Sequence, residues 1–443
     1  MSTKLRELTV ADFVLHARDE WECRKAGPFS IYRREVDGPP HWKLACGAYG
    51  KGMARAFVGM EPFGNMRLLK KVFGTVQTFL GGIGLNASPA ANVNVLLWDP
   101  LFPLPPIREA AGRVDVISPE TIARFGPSPS TLILLPTHRP GLHGGDVKRW
   151  PVSSAIHEGF HALLWDWLGA ARTPKMRKAE AWKKFDEMCA VTLEYILAAK
   201  RSAWLDYGRA WQASMALSHN INDWPAFLPP GMAGFEHPVN VEEYGHFPFL
   251  AWMDEVIWPR HPRVGHWLVL TWEEGKKNGW TADPWEVLDK ALKPDGGLKE
   301  VFRQYLVEAV FPSSPNHVLA QLVATFGPAP AVMVRHGEAA RGFVIGPLSA
   351  QYLRCEIQRG HGRRLKIVDG SDRGADVMAF WVGGEGRSQE HVSVGIVRGT
   401  SNGKARIWEI RMDDCPAEMG ELLVIVARIA HNWKTVAFKA EVV

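Results

Sequence analysis

The pentapeptide HEGFH at residues 157–161 is the feature that most constrains the fold, because it lies inside the apolar stretch VSSAIHEGFHALLWDWLG. Pro151 supplies a helix-start signal and Gly169 a stop signal, so this stretch is predicted to form one helix with the pentapeptide in its interior. Side chains four residues apart lie on the same face of a helix, about one turn apart. The imidazoles of His157 and His161 are therefore predicted to reach a single metal ion.

A tetrahedral metal site with two histidines needs one more ligand from the protein when a fourth position is left open. The next helical stretch, AEAWKKFDEMCAVTLEYILAAKRSAW, carries several acidic residues that lie far enough beyond His161 for the chain to turn and return antiparallel. Glu187 is the preferred ligand, because the small Ala190 follows it at about one turn and would let the two helices approach closely. Asp186 and Glu194 remain alternatives. The extended pattern HExxHxxGxxH is absent, which favours a glutamate as the third ligand.

An HExxH pentapeptide followed by a glutamate on a second helix resembles the gluzincin-type metallopeptidases. Residues 125–310 more closely resemble a family of mostly secreted bacterial and fungal proteins that is catalogued as a domain of unknown function. In that family a strand leads into the HExxH helix, and a W-x-x-E-x-x-A-like helix, a Tyr-Gly segment and a tail helix follow. The matching elements here are TLILLP, HEGFH, Trp182 with FDEMCA, EYGHFPFLAWMDE and LKEVFRQYL. The resemblance implies a zincin-like metallopeptidase domain that holds Zn²⁺ through His157, His161 and Glu187.

The same resemblance implies a zinc-dependent metallopeptidase that hydrolyses a peptide or protein substrate with a metal-activated water. Glu158 lies about 100° round the helix from the first histidine and is predicted to be the general base. The tetrahedral oxyanion needs a further donor. The resemblance places Tyr244 and His246 of the EYGHF segment best for that role, and His219 and His237 are weaker alternatives.

The order of the patterns along the 443 residues predicts an α+β protein in three parts. Residues 1–148 mix strands with a helix ending at Gly81-Gly82 and form the N-terminal α/β part of the peptidase unit. Residues 149–328 are mainly helical and carry HEGFH. Residues 331–443 contain about seven short alternating runs, which are typical of an antiparallel β-sandwich. The strand TLILLP, residues 131–136, is predicted either to form a sheet edge that pairs with an extended peptide or to be an ordinary core strand.

Composition narrows the classes of partner. A net charge of +5 is spread thinly, and the short basic runs lack interleaved aromatic residues, so no nucleic acid is expected. No apolar run approaches the length of a membrane span, so no membrane partner is expected. The charged N-terminus has no apolar signal core, which predicts a secreted protein if a leader was removed and a cytoplasmic one otherwise. Five widely spaced cysteines indicate no disulfide framework, and pairing of Cys23 with Cys46 or of Cys355 with Cys415 stays open for an oxidising compartment.

A second hypothesis, from another functional class, is a catalytically inactive peptidase-like protein whose β-sandwich contacts a protein or glycan. The presence of His157, Glu158 and His161 together favours the enzyme, because a site that has lost its activity has no chemical need for all three.

Overall fold

The structure is a computed structural model that describes residues 21–34, 66–87, 93–98, 113–116, 131–136, 150–169, 179–199, 247–260, 265–311, 331–345, 348–357, 362–370, 375–383, 390–401, 403–429 and 436–443. The chain divides into two compact units. The first comprises Met1–Ala210 and Arg263–Thr281, and the second comprises Trp211–Pro262 and Ala282–Val443. The three-part division drawn from the sequence stays a prediction.

The described residues form seven α-helices: α1 Met66–Gly82, α2 Trp150–Leu168, α3 Glu180–Ala199, α4 Phe247–Trp252, α5 Trp267–Lys277, α6 Pro284–Ala291 and α7 Leu298–Glu308. Four of them, α1, α2, α3 and α5, belong to the first unit. No helix among the described residues combines the length and apolar character needed to cross a membrane.

A mixed five-stranded sheet lies in the first unit, with the strand order β1-β2-β3-β5-β4. Its strands are β1 Trp21–Ala26, β2 Phe29–Arg34, β3 Val93–Trp98, β4 Arg113–Val116 and β5 Thr131–Pro136. Strands β2, β3 and β5 are parallel, whereas β1 and β4 are antiparallel to their neighbours. The TLILLP segment is β5, which pairs with β3 on one side and β4 on the other, and its Ile133 is fully buried. It is therefore a core strand, and the edge-strand interpretation is wrong.

The predicted HEGFH helix forms as α2 and packs against α1, α3, β4 and β5. It ends before Gly169, which has the left-handed φ of +51° that commonly terminates a helix. A glycine inside a helix costs about 1 kcal/mol relative to alanine. At Gly159 a Cβ atom would lie only 3.2 Å from Phe73 Cδ1 of α1, so the glycine permits a close approach of the two helices.

Helix α3 packs on α2, and most of its side chains from Phe185 to Leu197 are buried. Phe185 and Cys189 lie beside Trp272 of α5, and the small Ala190 is fully buried. Burial of apolar side chains is the main source of helix stability in a folded protein. The packing places the acidic residues of α3 opposite the histidines of α2.

In the second unit, helices α4, α6 and α7 share an aromatic cluster. Helix α4 continues as a π-helical turn, Met253–Ile257, and a 3₁₀ turn, Trp258–Arg260. The ring of Phe249 lies 5.1 Å from that of Phe302 and 5.2 Å from that of Tyr305, measured between centroids. These edge-on contacts are the geometry that aromatic pairs favour.

The C-terminal part consists of two five-stranded sheets that share one apolar core. Their orders are β11-β10-β14-β8-β6 and β12-β13-β9-β15-β7. The strands are β6 Ala331–Met333, β7 Arg341–Ile345, β8 Ser349–Glu356, β9 Arg364–Asp369, β10 Asp376–Gly383, β11 Glu390–Val397, β12 Thr400–Ser401, β13 Arg406–Arg411, β14 Glu421–Arg428 and β15 Val436–Val442. All seven predicted strands form, and β6, β7 and β12 are additional. The α+β class and a β-sandwich-like C-terminal part are confirmed, except that β6 pairs with β8 in parallel.

Helix α7 covers part of one of these sheets. The Tyr352 hydroxyl donates to the Leu306 carbonyl oxygen at 3.3 Å, and Arg303 Nη2 lies 3.0 Å from Asp376 Oδ1. This cover explains why β10 and β14 are buried on both faces rather than alternating.

Candidate metal centre

Two histidines from one face of α2 form the centre of the site. His157 and His161 have ring centroids 4.8 Å apart, and their Nε2 atoms are separated by 3.1 Å. The His161 side chain is 4% exposed and that of His157 15% exposed, so both rings are largely removed from water. Because the two histidines are four residues apart, they lie on the same face of the helix and their Nε2 atoms come close together.

Glu187 of α3 completes a group of three ligand atoms. Its Oε2 atom lies 3.1 Å from His157 Nε2, and its Oε1 atom lies 3.6 Å from His161 Nε2. One ligand atom from each of the three residues lies within 4.8 Å of the other two. The structure thus places the preferred sequence candidate, Glu187, beside both histidines.

Asp186 and Glu194, the alternative ligands, instead contact the opposite nitrogen of each ring. Glu194 Oε1 lies 2.7 Å from His157 Nδ1, and Asp186 Oδ1 lies 2.9 Å from His161 Nδ1. An ionised carboxylate only accepts hydrogen bonds, so Nδ1 donates in both pairs. The earlier histidine of α2 meets the later acid of α3, which shows that the two helices run antiparallel.

The indole of Trp165 is a further member of the group. Its Nε1 atom donates to Asp186 Oδ2 at 3.1 Å. Sequence reasoning missed Trp165, and it treated Glu194 only as an alternative ligand. Helical spacing was the available signal: Trp165 follows His161 by one turn, and Glu194 follows Glu187 by two turns.

The donor set fits a cation. A neutral imidazole that donates through Nδ1 carries its lone pair at Nε2. In that form the Nε2 lone pairs of His157 and His161 and the carboxylate of Glu187 are three hydrogen-bond acceptors that face one another. Burying acceptors together costs free energy unless a positive charge compensates them. In a tetrahedral site with bonds of about 2.0–2.1 Å, ligand atoms lie about 3.3–3.4 Å apart. The observed separations of 3.1 Å and 3.6 Å lie on either side of that value.

The pKa values show the same demand for positive charge. Burial lowers the pKa of His161, but the negative charges of Asp186 and Glu187, and the hydrogen bonds to them, outweigh burial and raise that pKa to about 10. Burial also lowers the pKa of His157, and its hydrogen bonds to Glu187 and Glu194 raise it well above its usual value. Burial raises the pKa of Glu187, but the charged histidines hold it well below the usual range. When no metal is bound, the site therefore holds protons.

Glu158 is a buried carboxylate next to the first histidine. It is 7% exposed. Burial raises its pKa to about 7, the charges of Glu187 and Glu194 add to the increase, and the charged histidines oppose it. A carboxyl group with a pKa near neutrality gains and loses a proton readily at physiological pH.

The predicted oxyanion donors, Tyr244 and His246, lie outside the described residues, as do His219 and His237. Their roles stay predictions.

No protein-family model matches this chain, and no curated protein matches it. Among solved structures, the chain is similar to a 1.0 Å crystal structure of the pre-peptidase C-terminal domain of collagenase from Bacillus anthracis. The sequence identity is 10% and the TM-score is 0.17, and the similarity covers 26% of this chain and 97% of that domain. A similarity of this extent assigns neither family nor function.

Proposed function

We propose that the protein is a zinc-dependent metallopeptidase whose metal ligands are His157, His161 and Glu187. The observation that carries the proposal is the convergence of two Nε2 atoms and a carboxylate, with both Nδ1 atoms hydrogen-bonded to other carboxylates. Imidazole ligands suit zinc better than they suit magnesium or calcium. Three protein ligands leave one tetrahedral position open, which is the arrangement of catalytic rather than structural zinc.

The surroundings of the site support a zincin-like assignment for the first unit. The helix that carries HEGFH packs on a mixed five-stranded sheet, and the third ligand comes from the next helix of that unit. This arrangement keeps the ligands on rigid elements, as a preorganised metal site requires.

When bound, zinc lowers the pKa of a water molecule and polarises the scissile carbonyl. Glu158 would act as the general base and then the general acid: its carboxylate would accept a proton from the attacking water and give it to the nitrogen of the leaving amine. In the metal-free site burial raises the pKa of Glu158 to about 7, a range in which a carboxyl group both accepts and gives up a proton. The low exposure of Glu158 and His161 keeps bulk water away from the proton being moved.

Metal content and proteolysis together test the proposal. We expect about one zinc per chain after reconstitution, and cleavage of fluorescein-labelled casein by the loaded protein. Glu187→Gln is expected to lose the zinc, because it removes a charged ligand. Glu158→Gln is expected to keep the zinc and to lose at least about a hundredfold in rate, since it removes the general base. A wild-type protein that binds no zinc would overturn the proposal.

Zinc binding without cleavage of any peptide bond, in the wild type and in Glu158→Gln alike, would support the inactive binding protein instead. A parallel measurement with Glu273→Gln, which removes a carboxylate on α5, controls for a general effect of lost charge.

A further inference from the structure

Asp186 and Glu194 lie outside the group of three converging ligand atoms, yet both are buried and both are hydrogen-bonded to a histidine of the site. We propose that they are positioning residues, which hold the two histidines with the proton on Nδ1 and so direct both Nε2 lone pairs at one cation. The inference rests on the proposed function, because it concerns the same metal.

Glu194 supplies a carboxylate to His157 from further along the helix that carries Glu187. Glu194 lies seven residues after Glu187, which is about 10 Å along the helix and within about 20° of the same face. It makes the short 2.7 Å contact with His157 Nδ1.

Asp186 is held from two sides. One oxygen accepts from His161 Nδ1 at 2.9 Å and the other from Trp165 Nε1 at 3.1 Å. The side chain is 9% exposed. Trp165 also lies against the ring of His161, with centroids 5.6 Å apart. The indole therefore restrains the acid that in turn restrains the ring.

The chemical consequence concerns the tautomer. A neutral imidazole free of such partners distributes its proton between Nδ1 and Nε2, and only the form with the proton on Nδ1 binds metal through Nε2. A carboxylate on Nδ1 selects that form, fixes the ring plane and makes Nε2 a stronger base. Loss of such a partner typically costs ten- to a hundredfold in metal affinity.

The zinc dissociation constant, measured by competition with a chelating dye, tests the proposal. Glu194→Gln keeps a carbonyl oxygen that can accept from His157 and loses only the charge, so we expect affinity to weaken about tenfold. Glu194→Leu removes the acceptor altogether, and we expect about a hundredfold. Asp186→Asn should weaken affinity at least as much as Glu194→Gln, because an NH2 group would replace one of the two oxygens that now accept separately from His161 and Trp165, and one of those donors would then face another donor.

The electronic absorption spectrum of the Co²⁺-loaded protein gives a readout that a merely structural role would not change. We expect the visible bands of Glu194→Leu to shift relative to the wild type while the protein stays folded by circular dichroism. The control Glu273→Gln should match the wild type in both zinc affinity and Co²⁺ spectrum.

The outcomes separate this inference from the proposed function. A wild type that binds zinc, a Glu187→Gln variant that does not, and Glu194 variants with unchanged affinity and spectrum would overturn the inference alone. A wild type that binds no zinc would overturn the proposed function and the inference with it. Graded loss across Glu194→Gln and Glu194→Leu, with an unchanged control, would support both.

Discussion

Zinc binding should release protons from this protein, and the number is set by the carboxylates round the histidines. At pH 7.5 the metal-free protein holds a proton on His161, because the pKa of that residue is raised to about 10. The pKa of His157 is also raised well above its usual value. Zinc binding requires a free lone pair on each Nε2 atom, so these protons must leave. Glu187 is already ionised, because its pKa lies well below the usual value, and it contributes none.

The expected release is between one and two protons per zinc. The two Nε2 atoms lie 3.1 Å apart, so a proton on each places like charges together, and the pair titrates in coupled steps. Two histidines with the ordinary pKa of about 6.5 would each be about one-tenth protonated at pH 7.5 and would release only about 0.2 proton in total. Affinity should also rise with pH, by about ten- to a hundredfold per unit, since fewer protons remain to be displaced.

Isothermal titration calorimetry in two buffers of different ionisation enthalpy measures this number directly. Asp186→Asn is the matched variant: it removes a charge that raises the pKa of His161, so its release should fall. A wild-type release below about half a proton at pH 7.5 would refute the reasoning, because it would mean that the carboxylates do not hold the histidines protonated.

Four further predictions concern stability. Gly275→Ala should lower the free energy of unfolding by about 1–2 kcal/mol, because a Cβ atom there would lie 2.7 Å from Trp182 Cζ2 and overpacking outweighs the gain in helix propensity. Gly74→Ala, where a Cβ atom meets nothing within 4 Å, should instead raise it by about 0.5–1 kcal/mol, and urea denaturation compares the two. Zinc at a thousandfold excess over its dissociation constant should stabilise the protein by about 4 kcal/mol, and a chelator should reverse the shift in a thermal melt. Asp283→Ala should cost about 1 kcal/mol, since the Asp283 carboxylate caps helix α6 by accepting from the Trp285 amide at 2.9 Å; an unchanged melting temperature would contradict this.

The periodicity of apolar residues was enough to predict most of the described elements. Helix α2 and the seven predicted strands of the C-terminal part are set by the residues within each segment, because a side chain four positions on in a helix, or two positions on in a strand, returns to the same face. The convergence of His157 and His161 could be predicted in the same way, since it needs only one turn of a single helix.

The order of the strands in the first sheet could not be predicted from the periodicity of apolar residues. TLILLP has the composition of a strand wherever it pairs, and its place between β3 and β4 depends on segments far away along the chain. An edge strand and a core strand therefore look alike in a single sequence.

The two histidines, the glutamate between them and a short set of acids on the following helix could all be identified from the amino-acid sequence alone. Which nitrogen of each histidine an acid contacts depends on how the two helices pack. Asp186 and Glu187 are neighbours in the chain, yet one meets a Nδ1 atom and the other the Nε2 atoms, because the rotation and antiparallel offset of α3 against α2 fix which side of each ring an acid reaches. That offset is set by the packing of buried side chains between the helices, and no property of either helix alone contains it.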